Sequence, residues 1–157
     1  MNRLSYYIVD VFAEKKFTGN QLAVFRDARK LSKEEMQVIA REINYSETTF
    51  ILSDKPRDSG FDVTIFTPKE EVPFAGHPTP GTAYIIHDEI LRGKTKDVIL
   101  NLKVGQIPVT FGQDGNCWMK QIQPIFAQQY KPAALAHILG LEDSEIDDRF
   151  PIEEVST

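Results

Sequence analysis

Tyr6–Phe12 is rich in aromatic and β-branched residues, and Leu22–Phe25 is a short apolar run. Both stretches predict strands, joined by a polar turn that holds Gly19 and Asn20. A helical period follows: Met36, Ile39, Ala40 and Ile43 fall on one face of a helix predicted over Ser32–Ile43, where Ser32 and Glu35 form a capping box. Thr48–Leu52 and Phe61–Phe66 read as strands on either side of the loop DKPRDSG. After His77 an apolar run extends to about Leu91, with Gly93 placed to cap it. Its residues Ala83, Tyr84, Ile85, Ile86, Ile90 and Leu91 spread around the helix circumference, which predicts burial on several sides. Val98–Val104, Gln106–Phe111 and Cys117–Ile122 predict a meander turning at Gly105, Gly112 and Gly115. A short helix over Pro132–Leu139 stops at Gly140, and RFPIEEVST opens a further extended segment. The element order is α+β, with no internal repeat and no low-complexity linker.

Composition narrows the partners more than the fold. A chain of 157 residues, 41% hydrophobic and 26% charged, has the makings of one ordinary globular domain. Its formal net charge of −5, with no basic stripe, makes nucleic acid and anionic membranes poor partners. The opening MNRLSYYIVDVF lacks a basic segment followed by an apolar core and a cleavage site, so no signal peptide is evident. Cys117 is the only cysteine. An internal disulfide is therefore excluded, and a cytoplasmic setting is expected.

The chemistry concentrates in Pro73–Ala83, PFAGHPTPGTA, which has the form of a strand-to-helix turn. Gly76 lets backbone approach a ligand closely, and Pro78 can open a helix without wasting a donor. His77 is then expected where the first free N–H groups of a helix point outward and favour an anion. Glu47, in NYSETTF, stands between the capped helix and an apolar strand. The residues alone leave it open as a rim carboxylate, a local cap or a catalytic base, and leave His77 open as a capping or a functional histidine. His87 and His137 lie within helices and read as packing or surface residues. No histidines have ligand spacing, so no metal site is expected. Cys117, beside Trp118, reads as a buried core thiol rather than a nucleophile. GHPTPGT imitates a phosphate-binding loop but has no lysine before its threonine, and its prolines remove amide donors. GxGxxG is absent, so nothing here supports a nucleotide cofactor.

Three segments, VDVFAEKKFTGNQLAVF (9–25), MQVIAREINYSETTFIL (36–52) and FTPKEEVPFAGHPTPGTA (66–83), together resemble the PhzF-like family, named for a phenazine-biosynthesis isomerase. The resemblance rests on the order and spacing of GN, SETTF, FTP and PFAGHPT. It implies one lobe of a diaminopimelate epimerase-like fold: a mixed β-sheet or barrel wrapped round a central helix, with the active site between two such lobes. On this reading residues 1–150 are the N-terminal lobe, and 151–157 begin the segment leading to a second. The resemblance further implies a cofactor-independent isomerase or epimerase of a small carboxylic acid, akin to trans-2,3-dihydro-3-hydroxyanthranilate isomerase. Glu47 would be its general acid/base and His77 a second catalytic residue, with Ser46, Gly76 and Asn20 at the substrate pocket. Two positions depart from the family pattern. Gln21 replaces a common proline, and Pro80 stands where leucine is frequent and stiffens the helix start. A lone lobe would expose an apolar face, so the expected partner is a second lobe on a companion chain, or a homodimer. The alternative is a non-catalytic domain that binds small carboxylates or another protein.

Overall fold

The chain divides into two compact units, Met1–Lys120 and Gln121–Thr157, and the computed structural model describes residues 4–147 and 149–156. In the first unit, β1 (Ser5–Val11) pairs antiparallel with β2 (Asn20–Arg26), with Val11 opposite Asn20. The helix α1 (Lys33–Ile43) then crosses over to β3 (Thr48–Ile51), which lies parallel to β2. β4 (Phe61–Phe66) runs antiparallel to β3 and carries the two-residue β5 (Glu71–Val72) on its edge. A second helix, α2 (Pro78–Ile85), crosses to β6 (Asp97–Leu102), parallel to β4. β7 (Gly105–Phe111) and β8 (Cys117–Met119) complete an antiparallel meander. The resulting order is β1-β2-β3-β4-β6-β7-β8, curled as a half-barrel.

Each helix takes one face of this sheet, because strand side chains alternate in direction. Ala23, Phe25, Phe50 and Phe66 form one cluster with Met36 and Ala40 of α1. Ser32 accepts from the Glu35 N–H while Glu35 accepts from the Ser32 N–H, so the predicted capping box is present at the start of α1. On the concave side α2 packs against β1, β2, β3, β6 and β8. It is buried along its length apart from Tyr84. Gly81 is what allows this approach: a Cβ there would lie 2.7 Å from Val11 Cγ2 and 2.8 Å from Leu22 Cδ2. The Thr49 and Thr82 hydroxyls, both fully buried, join β3 to α2 across 2.8 Å. α2 runs on into a wider turn, Ile86–Ile90, in which the Leu91 N–H donates to the Ile86 carbonyl at 2.9 Å. The predicted buried central helix is therefore present, and two left-handed residues, Arg92 at φ 55° and Gly93 at φ 67°, end it, with the Gly93 N–H donating to the His87 carbonyl at 2.9 Å.

The second unit holds β9 (Ile125–Tyr130), α3 (Pro132–Leu139) and β10 (Ile152–Ser156), with β10 antiparallel to β9. Gly140, at φ 69°, ends α3 as expected. β9 was not predicted. All six of its residues are exposed, so it carries no inside–outside alternation for a sequence pattern to register.

One expectation is corrected. Cys117 is exposed, as is Trp118 beside it. β8 pairs only with β7, and such an edge strand need not bury its side chains. Neighbouring atoms still desolvate the Cys117 sulfur and push its thiol up, which argues against an activated nucleophile. His87 stacks on Phe111 with ring centroids 4.2 Å apart, and His137 is exposed on α3. Among the described residues no helix is long and apolar enough to cross a membrane.

Candidate active site

Glu47 and His77 lie thirty positions apart in sequence, and the fold brings them together. Glu47 precedes β3 directly, and His77 is the residue before α2. These neighbouring elements are joined by the Thr49–Thr82 hydrogen bond. Both side chains come to rest in a mostly enclosed position, with 20% of the Glu47 and 9% of the His77 side chain exposed. Glu47 Oε2 and His77 Nε2 face each other at 3.6 Å, beyond the range of a good hydrogen bond. Each is buried and lacks a partner; among the described residues only the Thr48 hydroxyl shares that condition. Buried polar atoms are nearly always satisfied, so two of them facing across a small gap mark a place where a further molecule can supply the partners.

The other predicted residues take different positions. Asn20, first in β2, puts its Nδ2 3.2 Å from His77 Nδ1 and so belongs to the same cluster. Ser46 is exposed, and among the described residues it makes no hydrogen bond to the pair. Gly76 is exposed, with nothing within 4 Å of where a Cβ would stand. It borders a cleft of about 700 Å³ whose walls include Val11, Phe12, Pro80, Tyr84 and Met119. This cleft does not contain Glu47 or His77. The Glu47–His77 pair lies beside this cleft, with Gly76, the neighbour of His77, on its wall.

The helix start offers less to an anion than the sequence suggested. Pro78 and Pro80 have no N–H, so Thr79 is the only donor among the first three residues of α2. The Thr79 hydroxyl donates to the Ala75 carbonyl at 2.8 Å and holds the turn in shape.

Burial sets the state of the histidine. Removing the ring from water pushes His77 below its ordinary range; the nearby Glu47 and the Gln21 carbonyl act the other way and do not outweigh it. The ring is neutral near pH 7 and can donate at one nitrogen while accepting at the other. Upstream, Glu71 anchors the start of the loop that leads to His77. Its side chain is 7% exposed, between Lys33 Nζ at 2.6 Å and Lys103 Nζ at 2.7 Å. Burial pushes this carboxyl up, but the two lysines prevail and hold it below the usual carboxylate range.

Sequence reasoning missed the Gln21 carbonyl and the cleft wall. A side-chain pattern cannot reveal a main-chain acceptor. Phe12 did carry a signal, as an aromatic at the end of a predicted strand. In the structure it is 80% exposed with φ 59°, a backbone region that bulky residues rarely adopt.

Comparison with known proteins agrees with the fold. Trans-2,3-dihydro-3-hydroxyanthranilate isomerase from Pseudomonas aeruginosa is 40% identical over 152 residues, covering 94% of this chain and 52% of that protein. Mouse phenazine biosynthesis-like domain-containing protein 1 is 32% identical over 133 residues, covering 82% of this chain and 46% of its own length. The chain thus spans about half the length of the curated relatives it matches. Among solved structures, a "predicted epimerase" from Pseudomonas aeruginosa superposes with a TM-score of 0.81 at 34% identity, over 96% of this chain and 55% of that one. A hydroxyproline epimerase from Agrobacterium vitis, at 12% identity over 82% of this chain and 44% of that one, shares the fold with a TM-score of 0.56. The model of the phenazine biosynthesis-like protein family, PhzC-PhzF, matches residues 9–157, and the chain belongs to that family.

Proposed function

We propose that this chain supplies the Glu47 half of a cofactor-independent isomerase or epimerase that moves a proton on a small carboxylic acid. The observation that carries the reading is the pair of unpartnered buried atoms, Glu47 Oε2 and His77 Nε2, facing each other at 3.6 Å. Catalytic hydrogen bonds are often long in a free enzyme and tighten once substrate arrives. The carboxylate takes a proton from carbon, the bonding electrons move into the conjugated system, and a proton is returned to a different carbon. No net oxidation or reduction occurs. The neutral His77 ring is suited to hydrogen-bond the charge that develops as the first proton leaves. A dihydro-hydroxyanthranilate is the proposed substrate class, from the name of the 40% identical relative. Positioned acid–base catalysis of this kind contributes on the order of 10²–10⁴ in rate.

The partner belongs to the same proposal. Exposed Phe12, Phe17, Tyr84 and Trp118 give the first unit apolar surface suited to pairing, with a companion lobe or with a second copy of the chain. Native mass measurement establishes which species is present. Deuterium incorporation from D₂O into trans-2,3-dihydro-3-hydroxyanthranilate is then followed by mass spectrometry. Exchange by the wild type that Glu47→Gln abolishes supports the reading. Equal exchange by Glu47→Gln removes Glu47 as the base. Saturable carboxylate binding with no exchange turns the reading to a binding domain, the function that the adjacent 700 Å³ cleft alone would suit.

A further inference from the structure

We propose that Asn20 decides which nitrogen of His77 carries the proton: its amide donates to Nδ1 and leaves the N–H on Nε2, the nitrogen that faces Glu47. The use of that proton in catalysis rests on the function proposed above, but the tautomer does not.

Gly19 sets the position of Asn20. A Cβ at this position would stand 2.5 Å from the Val11 carbonyl oxygen and 2.9 Å from Ala13 Cβ. Only glycine lets the loop turn back so tightly against the end of β1, and that turn delivers Asn20 to the first position of β2, opposite Val11. Asn20 is exposed, where an amide ordinarily meets water, yet its Nδ2 lies 3.2 Å from His77 Nδ1. A neutral imidazole has one donor and one acceptor nitrogen, and the partner of one nitrogen dictates the role of the other. An amide nitrogen can only donate, so Nδ1 accepts and the ring proton sits on Nε2.

The opposite arrangement is physically worse. With the proton on Nδ1, held by Asn20 Oδ1 or by the Gln21 carbonyl, the Nε2 lone pair would point at Glu47 Oε2. Two acceptors would then face each other at 3.6 Å in a buried place, with no proton between them. With the proton on Nε2, a donor faces an acceptor across the same gap. Burial keeps the ring neutral, so a single proton is there to be placed. The consequence is a division of labour. Nε2–H can donate a hydrogen bond to substrate but cannot abstract a proton, which leaves Glu47 as the only base of the pair. Asn20 is then a positioning residue that acts through His77.

The test is ¹⁵N NMR of the ring nitrogens in histidine-labelled protein at pH 8, with His77 assigned by its loss in His77→Gln. The expected wild-type result is a protonated, pyrrole-type Nε2 and a pyridine-type Nδ1. In Asn20→Asp the carboxylate can only accept from Nδ1, so the two nitrogens should exchange signal types in a protein whose backbone spectrum stays dispersed. A wild-type ring protonated on Nδ1 overturns the proposal and assigns the ring to Oδ1 or to the Gln21 carbonyl. An unchanged Nε2–H ring in folded Asn20→Asp overturns it as well. Neither readout needs activity: a chain that shows the tautomer switch and no proton exchange keeps this inference and loses the proposed function.

Discussion

The two ends of α2 treat polar groups in opposite ways. Around the widened final turn of the helix, Tyr7, Arg26 and Glu89 find partners in the fold. Tyr7 donates to Glu89 Oε2 at 3.1 Å, and Arg26 grips Asp54 through Nε at 2.8 and 2.9 Å and Nη2 at 2.8 Å. Arg92 lies 3.5 Å from Glu89. The hydrogen bonds from Arg26 to Asp54 push the guanidinium still further toward its charged form. At the other end, two prolines leave Thr79 the only donor among the first three helix residues, and Glu47 Oε2 and His77 Nε2 are buried without a hydrogen-bond partner. The same helix, against the same sheet, is finished at one end and left open at the other. An unsatisfied buried polar atom costs about 1–3 kcal/mol. On the function proposed above, a substrate supplies the partner missing at the near end, while the far end is completed by the fold itself.

Glu47→Gln bears hardest on this contrast. At an end built for chemistry, it should cut proton exchange by about 10²–10⁴-fold. It should leave the thermal midpoint equal to or above that of the wild type, because removing a buried functional carboxylate relieves rather than damages the fold. A variant that unfolds several degrees lower in a thermal melt would make Glu47 a structural residue and erase the difference between the ends. Arg26→Met is the converse. It leaves Asp54 without its partner and should cost about 1–2 kcal/mol in urea denaturation, less than for a fully buried pair since Asp54 is 38% exposed. Exchange should be unaffected. If Arg26→Met slows exchange as much as Glu47→Gln does, the two ends are coupled through the helix and the separation fails.

How much of this could be read beforehand follows the same line. α1 was legible because its start is encoded locally, in Ser32 and Glu35, and its buried face in Met36 and Ala40. The central helix was legible because apolar residues all round a helix leave it nowhere to go except inside a sheet. Glu47 and His77 could be singled out by motif, but not their contact. That contact depends on α2 reaching β3 through Thr49 and Thr82, a tertiary event with no trace in local periodicity. Asn20 was placed near the cleft by its glycine neighbour, while its grip on the imidazole was beyond any pattern. Cys117 was misread for a related reason. A short apolar-looking strand is buried in mid-sheet and exposed at an edge, and strand order decides which.

Gly81→Ala tests the body of the helix between its ends. Alanine favours a helix interior over glycine by roughly 1 kcal/mol. Against this, the new methyl would stand 2.7 Å from Val11 Cγ2 and 2.8 Å from Leu22 Cδ2, and overpacking costs about 1–3 kcal/mol. The expected net effect is a loss of about 1 kcal/mol, read as a lower urea midpoint. A stabilised variant would show that α2 can move away from the sheet, and that its two ends are not held in fixed positions by one rigid core.

The smallest effect is the pH dependence contributed by His77, and its sign decides between the two forces on the ring. Burial lowers its affinity for a proton below the ordinary value of 6.5, while the charge of Glu47 works to raise it. If burial prevails, the unfolded chain binds more protons than the folded one between pH 6.5 and the lower folded value. His77 then costs nothing above pH 6.5, and stability falls progressively as the pH drops below it. Asp62 and Glu71 are held below ordinary values of 3.8 and 4.5, so their stabilisation is lost only in stronger acid. Urea midpoints between pH 5 and 8 should therefore decline on the acid side for the wild type and stay nearly level for His77→Gln. A wild type that gains stability on acidification, with His77→Gln level, would mean that Glu47 has won and the pair closes into an ion pair. The near end of α2 would then be satisfied from within, like the far end, and the gap at His77 would be no evidence for a missing substrate.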